Sequence, residues 1–144
     1  KIYPSAVESV LQVCDLFRSG NPPHIEQDEA LATYERRCTR KHAQIDWNKP
    51  VGQVYDLIRG TNPAPGAWTH YDGNELGIFD CERVPGDGVS GKIAEVNEDG
   101  FSVQCIGGRI FVKRVRPSGG SKVISSEFCS TFGVTVGDVL GSSV

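Results

Sequence analysis

The sequence predicts a mainly β domain with accessory helices: a small antiparallel barrel of the oligonucleotide-binding (OB-like) type, preceded by a helix and an extended linker. Three observations predict it. From Ala67 to Val115, short apolar runs alternate with Gly-, Asn- and Asp-rich turns at hairpin spacing, the pattern of a closed or partly closed barrel. The first residues instead repeat apolar side chains at helical spacing. The stretch between is polar and proline-marked and builds no core of its own. The expected organisation is therefore a helix over residues 1–20, a linker over 21–43 and a barrel domain over 44–144.

The opening helix is expected from Ala6 to Ser19. Ser5 and Glu8 form a capping box, each side chain satisfying the other's free backbone donor. Val7, Val10, Leu11, Cys14 and Phe17 share one face, Val13 and Leu16 widen it, and Gly20 closes the helix. An arc this broad needs a partner surface, so this helix is expected either to protrude with exposed apolar surface or to self-associate with another copy. Asn21-Pro22-Pro23 starts the linker, which ends in the densest basic cluster of the chain, Arg36, Arg37, Arg40, Lys41 and His42.

A second helix follows Ile45, Trp47 and Val51. Asn48 is its expected cap, Pro50 sits where no backbone donor is needed, and Val51, Val54, Tyr55 and Ile58 form its apolar face. Gly60 is expected to end it, because Asn62-Pro63-Ala64-Pro65-Gly66 cannot continue a helix. The period then changes to that of strands. Ala67–Tyr71, Leu76–Val84, Lys92–Val96, Phe101–Ile106 and Arg109–Val115 read as strands, with Asp72-Gly73-Asn74, Asn97-Glu98-Asp99-Gly100 and Gly107-Gly108 as turns. Ser125 or Ser126 is expected to cap a last helix through Phe132 that Gly133 stops. Val134, Val136, Val139 and Leu140 supply a closing apolar edge.

Charge narrows the function classes. The net charge of −3 and pI near 5.6 exclude a dedicated nucleic-acid binder at whole-chain level, while leaving room for a local basic patch. No run reaches membrane-spanning length, so no membrane partner is expected. The five cysteines, Cys14, Cys38, Cys81, Cys105 and Cys129, have no zinc-knuckle spacing and are odd in number. They read as reduced thiols of a cytoplasmic protein, with no metal site. The chain starts at Lys1 and contains no methionine, which predicts a fragment or a processed product.

The stretch from Ile45 to Thr69, IDWNKPVGQVYDLIRGTNPAPGAWT, resembles the segment that opens the C-terminal barrel of formyltransferases using 10-formyltetrahydrofolate. The likeness extends to Tyr3–Gly20, to Gln27-Asp28-Glu29 and Ala32-Thr33-Tyr34, and to Ile110–Val115 with Ser125–Phe128. It implies that the first helix is the last of an upstream Rossmann-like catalytic domain, and that 10-formyltetrahydrofolate is the one-carbon donor of a parent enzyme. Within that family an asparagine, a histidine in a His-Pro-Ser loop and an aspartate carry catalysis. None of His24, His42 and His70 stands in such a loop, so no catalytic or cofactor-binding residue is expected here and the isolated chain is expected to be inactive.

The wording Ile58-Arg59-Gly60 with Pro65-Gly66-Ala67-Trp68-Thr69 looks closer to the dehydrogenase–hydrolase branch of the family. The methionyl-tRNA branch is the alternative, and a non-enzymatic OB barrel binding RNA or protein is the alternative of another class. In the tRNA branch the barrel contacts tRNA, which would fall to Arg36, Arg37, Arg40, Lys41, Lys113, Arg114 and Arg116. Against a continuous positive face stand Asp80, Glu82, Glu95, Glu98 and Asp99. Asp46, Trp47, Arg59, Pro65, Gly66 and Trp68 are expected to be structural: a buried or half-buried hydrogen bond at Asp46, packing of the barrel against its lead-in helix at both tryptophans, and an interdomain salt bridge or a carbonyl contact at Arg59.

Overall fold

The computed structural model describes residues 2–20 and 22–141, which fall in two compact units, Lys1–Arg36 and Arg37–Val144. In the first unit, helix α1 spans Ile2–Arg18. It starts four residues ahead of the expected point, because Pro4 fits a first turn whose backbone donors lack intrahelical partners anyway. Ser5 is therefore inside the helix and not its cap, and its carbonyl accepts the Ser9 hydroxyl at 2.9 Å. No residue of α1 is buried; Val10, Leu11 and Phe17 are 62%, 60% and 67% exposed. Asn21, the expected start of the linker, lies outside the described residues. Beyond it a single 3-10 turn, Glu29–Leu31, is capped by the Asp28 carboxylate accepting from the Ala30 N–H.

The second unit holds the barrel. A 3-10 turn at Arg40–Ala43 leads to α2 (Val51–Thr61), and five strands follow: β1 (Ala67–Tyr71), β2 (Asn74–Val84), β3 (Ile93–Asn97), β4 (Gly100–Cys105) and β5 (Gly108–Pro117). A two-residue strand β6 (Val123–Ile124), too short to show in the sequence pattern, and α3 (Ser125–Phe132) complete it. The antiparallel order is β1-β2-β5-β4-β3, with β6 on β5. Segment 137–141 bridges the two outer strands. Leu140 N–H donates to Gly91 O, Ile93 N–H to Asp138 O, and Gly141 N–H to His70 O. The sheet thus closes most of the way into a barrel, which removes exposed edges.

Alternation puts Ala67, Ile78 and Val115 side by side in the interior, with Phe101, Val103, Ile110 and Val112. α2 contributes Val54 and Ile58 to that core and α3 contributes Phe128. Gly100 is required at its turn, since a Cβ there would sit 2.1 Å from Val112 O.

Several expected ends move. Asn48 does not cap α2: its own N–H donates to the Asp46 carboxylate, and Pro50 occupies the cap position. The first helical N–H, of Val51, instead finds Ile106 O across the barrel. Gly60 lies inside α2, which runs on to Thr61 because the Thr61 hydroxyl ties back to Leu57 O at 2.8 Å. Ser125 caps nothing, for its fully buried hydroxyl has no hydrogen-bond partner among the described residues. Val134 and Leu140 are buried as expected, but Val136 and Val139 face out, because the loop they sit in turns at Gly137.

Candidate functional site

Antiparallel register places Trp68 (β1) opposite Gly77 (β2), and Gly77 opposite Arg116 (β5). Their interior neighbours are Ala67, Ile78 and Val115, so these three lie on the outer face. β6 pairs Ile124 with Arg114 and Val123 with Val115. One more step of that register brings Lys122 opposite Arg116, so one outer row crosses four segments: Trp68, Gly77, Arg116, Lys122.

Gly77 leaves a gap in this row, and Phe79 fills it. Ile78 points inward, so strand alternation turns the Phe79 ring to the same outer face as Gly77, and the β2–β5 register slips only after Ile78. The ring passes 3.0 Å from where a Gly77 Cβ would stand and 3.1 Å from where a Gly66 Cβ would. Gly66, and the turn containing Pro65, therefore make room for Phe79. The turn is held by Asn62 Nδ2 donating to Phe79 O at 2.9 Å. Phe79 is only 4% exposed, because Arg116 and Lys122 cover it: the guanidinium is 5.3 Å from the ring centroid and the ammonium 3.7 Å.

At the other end of the row, Arg40 stacks over Trp68, 5.3 Å from its centroid, and its carbonyl accepts the Trp68 indole N–H at 2.9 Å. Arg40 also pairs with Glu75. His70 meets Trp68 edge-on. Trp68 is half-buried, a surface platform holding the lead-in turn. The indole in the core is Trp47, 3% exposed, donating to Thr69 Oγ1 at 3.0 Å.

The remaining expected contact residues separate. Lys113 is bonded to Glu82, which raises its pKa, and it lines a groove of about 480 Å³ with Arg114, Asp80, Glu82, Glu98 and Asp99. Four carboxylates there offset two cations. Arg36, Arg37 and Lys41 are exposed and form no ion pair among the described residues, and Arg36 belongs to the first unit. Arg59 pairs within its own helix with Asp56 at 3.3 Å and lies over Tyr55. Asp46 is exposed, not buried or half-buried as expected, because its carboxylate is spent on the surface turn bond to Asn48 N–H already described. Lys122 and Phe79 escaped the sequence reading as site residues. The signal for Lys122 was the equal spacing about the Pro117–Ser121 turn, which becomes a register only once β6 is known.

The rest of the barrel offers little chemistry. Burial pushes the thiols of Cys81 and Cys105 up to about 12 and that of Cys129 up to about 11, so they are protonated packing groups. No group of His, Cys, Asp and Glu among the described residues could hold a metal ion, and none of their helices is long and apolar enough to cross a membrane. What the outer row can do is hold anions: it joins cations and aromatic rings on one strip of sheet.

The sequence profile of the formyl transferase C-terminal domain matches residues 37–133. Methionyl-tRNA formyltransferase of Moorella thermoacetica is 32% identical over 134 residues, covering 92% of this chain and 43% of that protein. The same enzyme of Syntrophomonas wolfei is 32% identical over 136 residues, with the same coverage. The chain thus spans less than half the length of these relatives. HypX from Aquifex aeolicus superposes with a TM-score of 0.74 at 19% identity, over 92% of this chain and 24% of that one. A second HypX structure, in complex with tetrahydrofolic acid, gives 0.74 at 18% identity. At such identity the likeness shows the fold alone. Profile and relatives together show that the chain belongs to the formyl transferase C-terminal domain family.

Proposed function

We propose that this chain is the acceptor-holding C-terminal part of a formyltransferase that uses 10-formyltetrahydrofolate and delivers the formyl group to methionyl-tRNA. The outer row carries the reading: Arg116 and Lys122 on Phe79, beside Trp68 under its Glu75-paired Arg40, a strip of cations and rings suited to a phosphate backbone. The relatives named above, both methionyl-tRNA formyltransferases, support it. In this reading residues 1–20 end an upstream Rossmann-like catalytic domain, whose surface covers the apolar face of α1. Residues 21–43 connect, and 44–144 form the barrel. The barrel holds no donor and performs no bond-making step. It spends binding energy on the acceptor's backbone so that the amino group is presented to the catalytic domain in a defined orientation. The five unpaired cysteines suit a reducing compartment such as the cytoplasm.

A second reading keeps the dehydrogenase–hydrolase branch, in which water is the acceptor. The observation favouring it is the groove at Lys113 and Arg114, where Asp80, Glu82, Glu98 and Asp99 would repel a backbone. The test is an assay of the chain joined to its catalytic domain, with 10-formyltetrahydrofolate and either methionyl-tRNA or water as acceptor. Formyl-methionyl-tRNA production upholds the first reading, and tRNA-independent release of formate upholds the second. The 144-residue chain alone should show background turnover with both.

A further inference from the structure

Arg116 and Lys122 share an arrangement that the fold by itself does not favour. Lys122 stands one residue before β6, where a continued β5–β6 register would face Arg116, and both cations lie on the ring of Phe79, a juxtaposition of like charges that costs stability. Neither forms an ion pair with a carboxylate among the described residues. Both are drawn over the one ring of Phe79, so their charged groups are no farther apart than the sum of 5.3 and 3.7 Å. The ring's negative face offsets part of the repulsion. A single anion between the two would offset the rest and would be bound by a planar fork on one side and a point charge on the other.

We infer that Arg116 and Lys122 close on one and the same phosphate of the bound RNA backbone, with Phe79 as the floor that sets their spacing. The inference rests on the RNA-binding reading above and deepens it, since it assigns two cations to one phosphate. Arg40 at the far end of the row is already neutralised by Glu75 and adds a stacking contact in place of a second clamp.

Counterion release gives the test. Each phosphate contacted contributes roughly one unit to the slope of log affinity against log salt. The probe is a fluorescein-labelled RNA hairpin of about 12 base pairs, titrated with the full chain from about 50 to about 300 mM salt and followed by anisotropy. Arg116→Gln and Lys122→Gln should each lower the slope by about one unit and the affinity about tenfold. The double variant should lower the slope by about one unit and no more, because the same phosphate is lost in all three. A double variant that loses about two units would mean two separate phosphates and would overturn the clamp. Salt-dependent binding unchanged in all three variants would overturn the clamp and leave the RNA reading standing. A wild-type chain that does not bind the hairpin would overturn both.

Thermal midpoints separate this from a structural role: removal of either like charge should leave the midpoint level or raise it, while a packing role would lower it. Inorganic phosphate added at constant ionic strength decides the source of the anion. Unshifted Phe79 ring resonances at millimolar phosphate support a backbone phosphate; saturation in that range would assign the site to a free anion and overturn the RNA assignment.

Discussion

The C-terminal half of strand β5 carries two basic sites that read alike and behave oppositely. At Lys113-Arg114 the cations face Glu82, Asp80, Glu98 and Asp99 across a groove, and Lys113 is bonded to Glu82. Two residues on, Arg116 joins Lys122 with no carboxylate partner among the described residues, and both lie on a phenyl ring. The difference comes from backbone geometry. The β2–β5 ladder slips at Phe79 and again before Cys81, so Asp80 faces Arg114 while Gly77 faces Arg116. A basic run in sequence is therefore divided by a bulge into a neutralised end and an anion-ready end. Charge counted along a strand says nothing about which of the two an anion would meet.

The comparison is strongest if the row can be stripped without unfolding the barrel beneath it, and stability variants test that in descending order. Trp47→Ala should cost about 3–5 kcal/mol, the range for large aromatic truncations, because its indole is in the core and bonded to Thr69. Trp68→Ala should cost only about 1–2 kcal/mol, since the ring is half-buried and loses one hydrogen bond to Arg40 O. Urea midpoints check both. Equal losses would make Trp68 a core residue and leave the row without its surface platform.

A smaller, pH-dependent effect concerns the segment that closes the barrel beside the row. Asp138 accepts from the Thr135 N–H, Tyr71 OH and Thr135 Oγ1, and these bonds, the backbone one foremost, lower its pKa. A carboxylate depressed in the folded state stabilises above its unfolded value of about 3.9, and that contribution is lost as pH falls through the folded pKa. Tyr71 is pushed up to about 12, by burial first and then by its bond to Asp138. Its proton therefore favours the fold below about pH 10, and the contribution is lost as pH rises toward its folded value. Asp138→Asn should flatten the acid limb of a stability–pH profile. An unchanged limb would show that the strap does not depend on this charge. Arg116→Gln with Lys122→Gln sits last in this order, within about 0.5 kcal/mol of wild type.

Much of the barrel was legible because its signals are local. Asp72-Gly73 and Asn97–Gly100 are hairpin turns in sequence and in structure, and Gly133 ends α3 in a left-handed conformation as expected. Helix ends were less legible where a distant group supplied the missing partner, as Ile106 O does for Val51 in place of an Asn48 cap. The site was legible only in part. Arg40 and Arg116 were identifiable as basic residues, but Phe79 gains its role from the space that Gly66 and Gly77 leave for its ring and Lys122 from a two-residue strand, and neither of these shows in the periodicity. Trp68, expected to pack like Trp47, differs because β1 turns its odd and even residues to opposite faces and only the odd ones, Ala67 and Thr69, point inward.

The central claim is that the pairs Lys113-Arg114 and Arg116-Lys122 differ in anion binding though they carry equal positive charge. Two variants of equal net charge measure it: Arg116→Gln with Lys122→Gln, and Lys113→Gln with Arg114→Gln, titrated against the same RNA hairpin at one salt concentration. The account predicts about a tenfold loss of affinity for the first and less than about a twofold change for the second. Equal losses from both would contradict it, showing that the hairpin responds to net charge alone and that the bulge divides nothing.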